Sequence, residues 1–197
     1  MKMFSRLAII SALLLSLTAC GINNIPTYDE QVKAAWSQVE NQYQRRADLV
    51  PNLVSTVKGY AAQEKEVLTA VTEARSRVGG LQASDDILND PEKFRQFQQA
   101  QSQLGSALQR LMVVVERYPD LKSNQNFLAL QSQLEGTENR IAVARRDFIQ
   151  SVQQYNTEIR TFPGRIWHSL LYSDMQVKPN FEATTQNADQ APKVDFK

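Results

Sequence analysis

The chain has 197 residues, 42% of them hydrophobic and 22% charged, with few glycines or prolines, which suits one globular domain with a core of its own. Basic and acidic side chains nearly cancel, 22 against 21, so the composition offers no cationic surface for nucleic acid and no strong field for acidic lipid. A single cysteine and a single histidine exclude a disulfide framework and the usual zinc sites, and no cofactor or metal is expected.

The first twenty residues stand apart from that composition. Lys2 and Arg6 give a short cationic start, residues 7–17 are almost wholly apolar, and Leu17-Thr18-Ala19-Cys20 follows, the pattern of a secretory signal. The apolar run is about half of the ~20 residues that a membrane-spanning helix needs, which favours a cleaved signal over a permanent span. LTAC resembles the lipobox of bacterial lipoproteins. That resemblance implies removal of residues 1–19, acylation of the Cys20 thiol by chains of the palmitate kind, and a mature chain beginning at Cys20. Two or three acyl chains, at ~0.8 kcal/mol per buried methylene, hold a protein stably on a membrane. Gly21 in place of an aspartate points, by the same resemblance, to the outer membrane facing the periplasm if the bacterium is Gram-negative.

Residues 20–27, with Asn23-Asn24 and Pro26, read as a lipidated tether. A helical domain follows over 28–172. Its first helix is expected over 28–78, because Val32, Trp36, Val39, Tyr43, Val50, Leu53, Val57, Tyr60, Val67, Val71, Ala74 and Val78 recur in steps of three and four. At 1.5 Å per residue it would span ~75 Å. Pro51 deletes the backbone bond to Ala47, so a kink is expected there within a continuous helix. Gly79-Gly80 ends it, and residues 81–89 connect to Asp90-Pro91, a capping side chain followed by proline at the first helical position.

The second helix carries Phe94, Phe97, Gln101, Leu104, Leu108, Leu111, Val115 and Tyr118 and stops at Pro119. The third, over 124–160, presents Phe127, Leu130, Leu134, Ile141, Ala144, Phe148, Val152, Tyr155, Ile159 and, just past its end, Phe162, and ends at Pro163-Gly164. A short amphipathic helix over 165–172 closes one end. The tail, 173–197, is polar with isolated Phe181, Val194 and Phe196, and is expected extended or partly disordered. Short connections make neighbours antiparallel, so the fold class is an all-α antiparallel bundle of three long helices, up, down, up, plus a short C-terminal one. The segment before Pro51 then lacks an equal partner: its Trp36 and Tyr43 face either folds onto the C-terminal pieces or projects as a partner site.

Several strings in this chain are similar to those of the bacterial LemA family: AWSQV (35–39), RRADLVPNLV (45–54), VKGYA (57–61), EAR (73–75), YPDLKSNQNF (118–127), LEGTENRIAVARR (134–146), YNTEIRTFP (155–163) and PKVDF (192–196). The resemblance implies a helical bundle held at a membrane by its N-terminus, in a family for which no enzymatic activity is established. Gln63 stands where many relatives have histidine, and Phe148-Ile149 where many have Tyr-Asn. A lipobox stands in place of the family's usual spanning segment.

Candidate chemistry is sparse. His168 sits on the short amphipathic helix beside Trp167 with no nucleophile to serve, and Glu64 and Glu138 lack anything that pairs them as acids. Arg45, Arg46, Asp48 and Asn52 on the first helix and Glu138, Asn139, Arg145 and Arg146 on the third form a polar set, read as an internal ion-pair layer or a partner-binding surface. Arg46 and Glu64 fall on the apolar stripe itself, where a buried charge demands a partner. The leading functional class is a lipid-anchored, non-catalytic scaffold or adaptor with a protein partner. Behind it stand a structural protein that self-associates through coiled-coil-like helices and an envelope enzyme.

Overall fold

A computed structural model describes residues 21–81 and 87–182, and among these the regular structure is entirely helical. Helix α1 is Asn24–Tyr60, α2 Lys65–Leu81, α3 Pro91–Val115, α4 Pro119–Lys122, α5 Gln125–Glu158 and α6 Gly164–Leu171. Cys20, the segment 1–19 expected to be a signal, residues 82–86 and residues 183–197 lie outside the described residues. The all-α bundle is as expected. Its helix count is not.

The expected first helix is two helices that fold back on each other at residues 61–64. Arg75 of α2 reaches the carbonyl of Ala47 on α1, so the two run antiparallel about that turn. Four long helices result. Helices α1 and α5 pair along their whole lengths, with Asn24 meeting Glu158 at one end, Arg46 meeting Glu138 midway and Tyr60 meeting Asn124 at the other. Helix α3 runs parallel to α1 and antiparallel to α2, as shown by Arg77 on Gln103 and Glu64 on Arg117. The order is therefore up, down, up, down.

The hairpin forms because both halves of the stripe need cover. Val50, Leu53, Val57 and Ala61 pack against Leu68, Val71, Ala74 and Val78, together with α3 residues such as Leu104 and Leu111. A straight ~75 Å helix would leave one half in water. The four-residue turn replaces about one helical turn, so the stripe keeps its period through the reversal. Two residues placed on that stripe leave it: Tyr60 is 45% exposed, and Glu64 stands in the turn.

Pro51 sits inside α1, and the chain reverses at Ala61 instead. The carbonyl that proline orphans, that of Ala47, accepts the Arg75 Nε–H at 3.0 Å. The helix continues because a neighbouring helix replaces the missing donor. Pro26, read as tether, falls within the first turn of α1, where a proline removes only a donor that has no helical partner. Asp90 caps α3 through bonds from the amides of Glu92 and Lys93, and Asn124 caps α5 through the amide of Phe127.

Helix α2 covers only the upper half of the bundle. In the lower half its place is taken by Ile87, Leu88 and the segment 175–181, which has no regular structure. Phe181, read as an isolated tail residue, lies against Trp36, Phe94 and Phe148 with ring centroids 6.3, 5.0 and 5.6 Å away. Trp36 and Tyr43 are buried, so this face folds onto the C-terminal pieces and is no projecting partner stripe.

Candidate functional site

Two apolar clusters fill the bundle, and a polar layer separates them. On α1, Tyr43 belongs to the lower cluster and Val50 to the upper; on α3, Phe97 belongs to the lower and Ala100 and Leu104 to the upper; on α5, Ile141 belongs to the lower and Leu134 to the upper. Between them stand Arg46, Gln101 and Glu138. Arg46 is 4% exposed. Its Nη1 donates to Glu138 Oε1 at 3.0 Å, and its Nη2 to the Gln101 carbonyl at 3.0 Å and to Gln101 Oε1 at 2.5 Å. Its guanidinium also lies 5.0 Å from the Tyr43 ring centre. One cation thus ties three helices at one level, which fixes their relative register.

Beside this layer opens a groove of about 240 Å³, lined in part by Tyr43, Arg46, Gln101, Gln109, Glu138 and Arg145. Burial pushes the Tyr43 phenol up, against the pull of the Arg145 and Arg46 charges. Arg145 is half-buried and rests its guanidinium 4.3 Å from the Phe181 ring centre, which couples the groove to the C-terminal segment.

The structure therefore brings Arg46, Glu138 and Arg145 together from the polar set, with Tyr43 from the aromatic face beside them. It leaves the others apart. Arg45, Asp48 and Asn52 are exposed on α1, where Asp48 accepts from Gln44 at 2.7 Å and the Asn52 carbonyl accepts from Thr56. Asn139 and Arg146 are exposed on α5, the latter beside Asp147. Trp36 is part of the aromatic core with Phe94, Phe97 and Phe148. Glu64 works at the hairpin turn, accepting from Arg117 at 3.0 Å and from the Tyr118 hydroxyl at 2.7 Å, while Gln63 donates to the same hydroxyl. Glu64 and Glu138 serve different cations and form no acid pair.

Two contributors, Asp29 and Lys178, escape a reading of the chain, and two more show in it only in part. Gln101 was legible as a polar residue on an apolar stripe, and Arg75 only as part of the EAR string. Asp29 carried no signal, since its partner lies far along the chain. Lys178 is 7% exposed and places its Nζ 3.1 Å from Asp29 Oδ1 and 2.7 Å from Asn89 Oδ1, while its amide and carbonyl are both held by Asn156. Burial pushes the Asp29 carboxyl up, but hydrogen bonds from Lys33 and Lys178 outweigh it and hold the group below its ordinary value. His168 Nε2 bonds the Met175 carbonyl at 2.9 Å and so helps hold that segment. Among the described residues no three His, Cys, Asp or Glu side chains converge as a metal site would require, and no helix is long and apolar enough to cross a membrane.

These features define a class: an antiparallel four-helix bundle with one charged layer, its lower half completed by a C-terminal strap. The chain belongs to the LemA family, which it matches over residues 35–196. It is similar to Magnetosome protein MamQ 2 of Paramagnetospirillum magneticum, 29% identical over 168 residues that take in 76% of this chain and 60% of that protein. Magnetosome protein MamQ of Magnetospirillum gryphiswaldense is 28% identical over 72% of this chain and 58% of its own length. Protein LemA of Metamycoplasma hominis is 24% identical over 71% and 60%. The chain spans about three fifths of the length of these curated relatives.

Proposed function

We propose that this protein is a non-catalytic helical scaffold of the bacterial envelope, anchored through lipidated Cys20 and presenting its bundle to a protein partner. The observation that carries this reading is the use made of the interior charges. Arg46 is bonded to Glu138 and Gln101, and Glu64 to Arg117 and Tyr118, so these two charges on the expected apolar stripe act as struts between helices. Helix α1 begins at Asn24, a few residues after the anchor, and its 37 residues make a rod of ~55 Å. A rigid rod fixed at one end is suited to hold a partner at a set height above the lipid. In a Gram-negative cell that surface is the outer membrane facing the periplasm, by the rule that Gly21 satisfies.

Two measurements test the reading. Cys20→Ser should leave an unprocessed precursor or release the domain from membranes, as seen by fractionation; normal processing with unchanged membrane association would refute the lipid anchor. Photo-crosslinking in cells from Ser102, Gln109 and Asn139, all exposed near the polar layer, should capture one discrete protein. Crosslinks to a second copy of this chain alone would replace the adaptor with a self-associating structural protein.

A further inference from the structure

The exposed apolar residues of the bundle are mostly single. Val113, Leu128, Val143 and Ile149 stand apart along the helices, as ordinary surfaces allow. One group is different. Phe162 is 79% exposed, Leu170 69%, Leu171 55% and Ile166 44%, all within ten residues of chain that turn from α5 into α6. Ile166 and Leu170 are four apart on α6 and share a face.

This group lies at the end of the bundle where the chain's N-terminal segment enters. Asn24, the first residue of α1, donates to Glu158, the last residue of α5, at 3.1 Å. Helix α6 is pressed onto the same point: Gly164 approaches so closely that a Cβ there would stand 2.2 Å from the Glu158 carbonyl oxygen. On its other side Trp167 packs against the lower cluster, as Tyr28 near the start of α1 also does. Gly21 is three residues before Asn24, no more than about 10 Å of chain. Directly before Gly21 come Cys20 and the apolar run 7–17.

The charge around the group also suits lipid. Between Glu158, which is bonded to Asn24, and Asp174 the chain holds Arg160, Arg165 and His168. Both arginines are exposed and can lay their stems along apolar surface while the guanidinium meets phosphate. We propose that Phe162, Ile166, Leu170 and Leu171 insert into the interface of the membrane that holds the N-terminus, making a second, non-covalent attachment. The inference rests on the anchored reading above. It holds whether the anchor is acyl chains on Cys20 or the apolar run itself, since both put lipid next to Gly21. Two attachments at one end stop the bundle from tilting about a single tether, which a scaffold of fixed height requires.

The test uses the full chain in cells, with a photo-reactive phenylalanine replacing Leu170 or Ile166, and Val113 as an exposed apolar control. Membrane fractionation is done on the same samples. Lipid adducts at Leu170 and Ile166 with none at Val113 are expected, and Arg165→Glu should reduce them. A protein adduct at Leu170, or lipid labelling no greater than at Val113 in a membrane-bound chain, overturns this inference and leaves the anchor intact. A chain absent from membranes overturns both.

Discussion

Arg75 and Pro51 form a pair that neither residue announces alone. Proline at position 51 leaves the Ala47 carbonyl without its helical donor, and the Arg75 guanidinium supplies one from the next helix. An unsatisfied carbonyl at a part-buried site costs about 1–3 kcal/mol, so Arg75→Ala should lower stability by that amount in denaturant unfolding. In a Pro51→Ala background the cost should shrink, because the restored amide bonds Ala47. Equal costs in both backgrounds would show that Arg75 acts elsewhere. Arg46 gives a second prediction at this scale. Glu138→Gln leaves a buried guanidinium with a weaker partner; since Glu138 is 45% exposed and solvent can reach it, the loss should be about 2 kcal/mol, below the figure for a fully buried pair. A mutant as stable as the parent would mean that Gln101 and Tyr43 suffice to hold Arg46.

At the scale of elements, the short α2 explains the strap. A helix that ends at Leu81 cannot cover the lower half of α1, and the segment around Phe181 closes the gap against Trp36, Phe94 and Phe148. Trp36→Ala should therefore cost about 3 kcal/mol or more, as expected for a fully enclosed aromatic side chain. Phe181→Ala should cost less, about 2 kcal/mol, because the residue is only half-buried and its segment can shift. Unfolding curves for the two variants check the order. A larger loss at Phe181 would mean that the strap carries more of the lower core than Trp36 does.

For the whole molecule, Asp29 ties the start of α1 to the strap through Lys178. Its folded pKa lies below the 3.8 of an ordinary aspartate, so the tie stabilises the fold above that value and is lost as pH falls through the lower, folded one. Stability should drop on acidification below about pH 4, and Asp29→Asn should be less stable than the parent near pH 7 while losing less between about pH 7 and pH 3. Thermal unfolding at both pH values checks this, and parallel pH profiles for parent and variant would exclude Asp29 as the responsive group.

Much of this architecture was legible from residues close together in the chain. The periods of α3 and α5, the cap Asp90, the ends of both helices ahead of Pro119 and Pro163 and the short α6 all follow from neighbours a turn apart, and Arg46 revealed itself as a charge on an apolar stripe. By itself the sequence determined the helical class, the family strings and a charged residue that needed a partner. Only the tertiary structure decided that residues 28–78 reverse at Ala61, that Trp36 is enclosed, and that Asp29, Lys178 and Phe181 meet. The physical reason is that each of these depends on which apolar surface covers which other one across a long separation, and a turn of four residues preserves the very period from which a continuous helix is inferred.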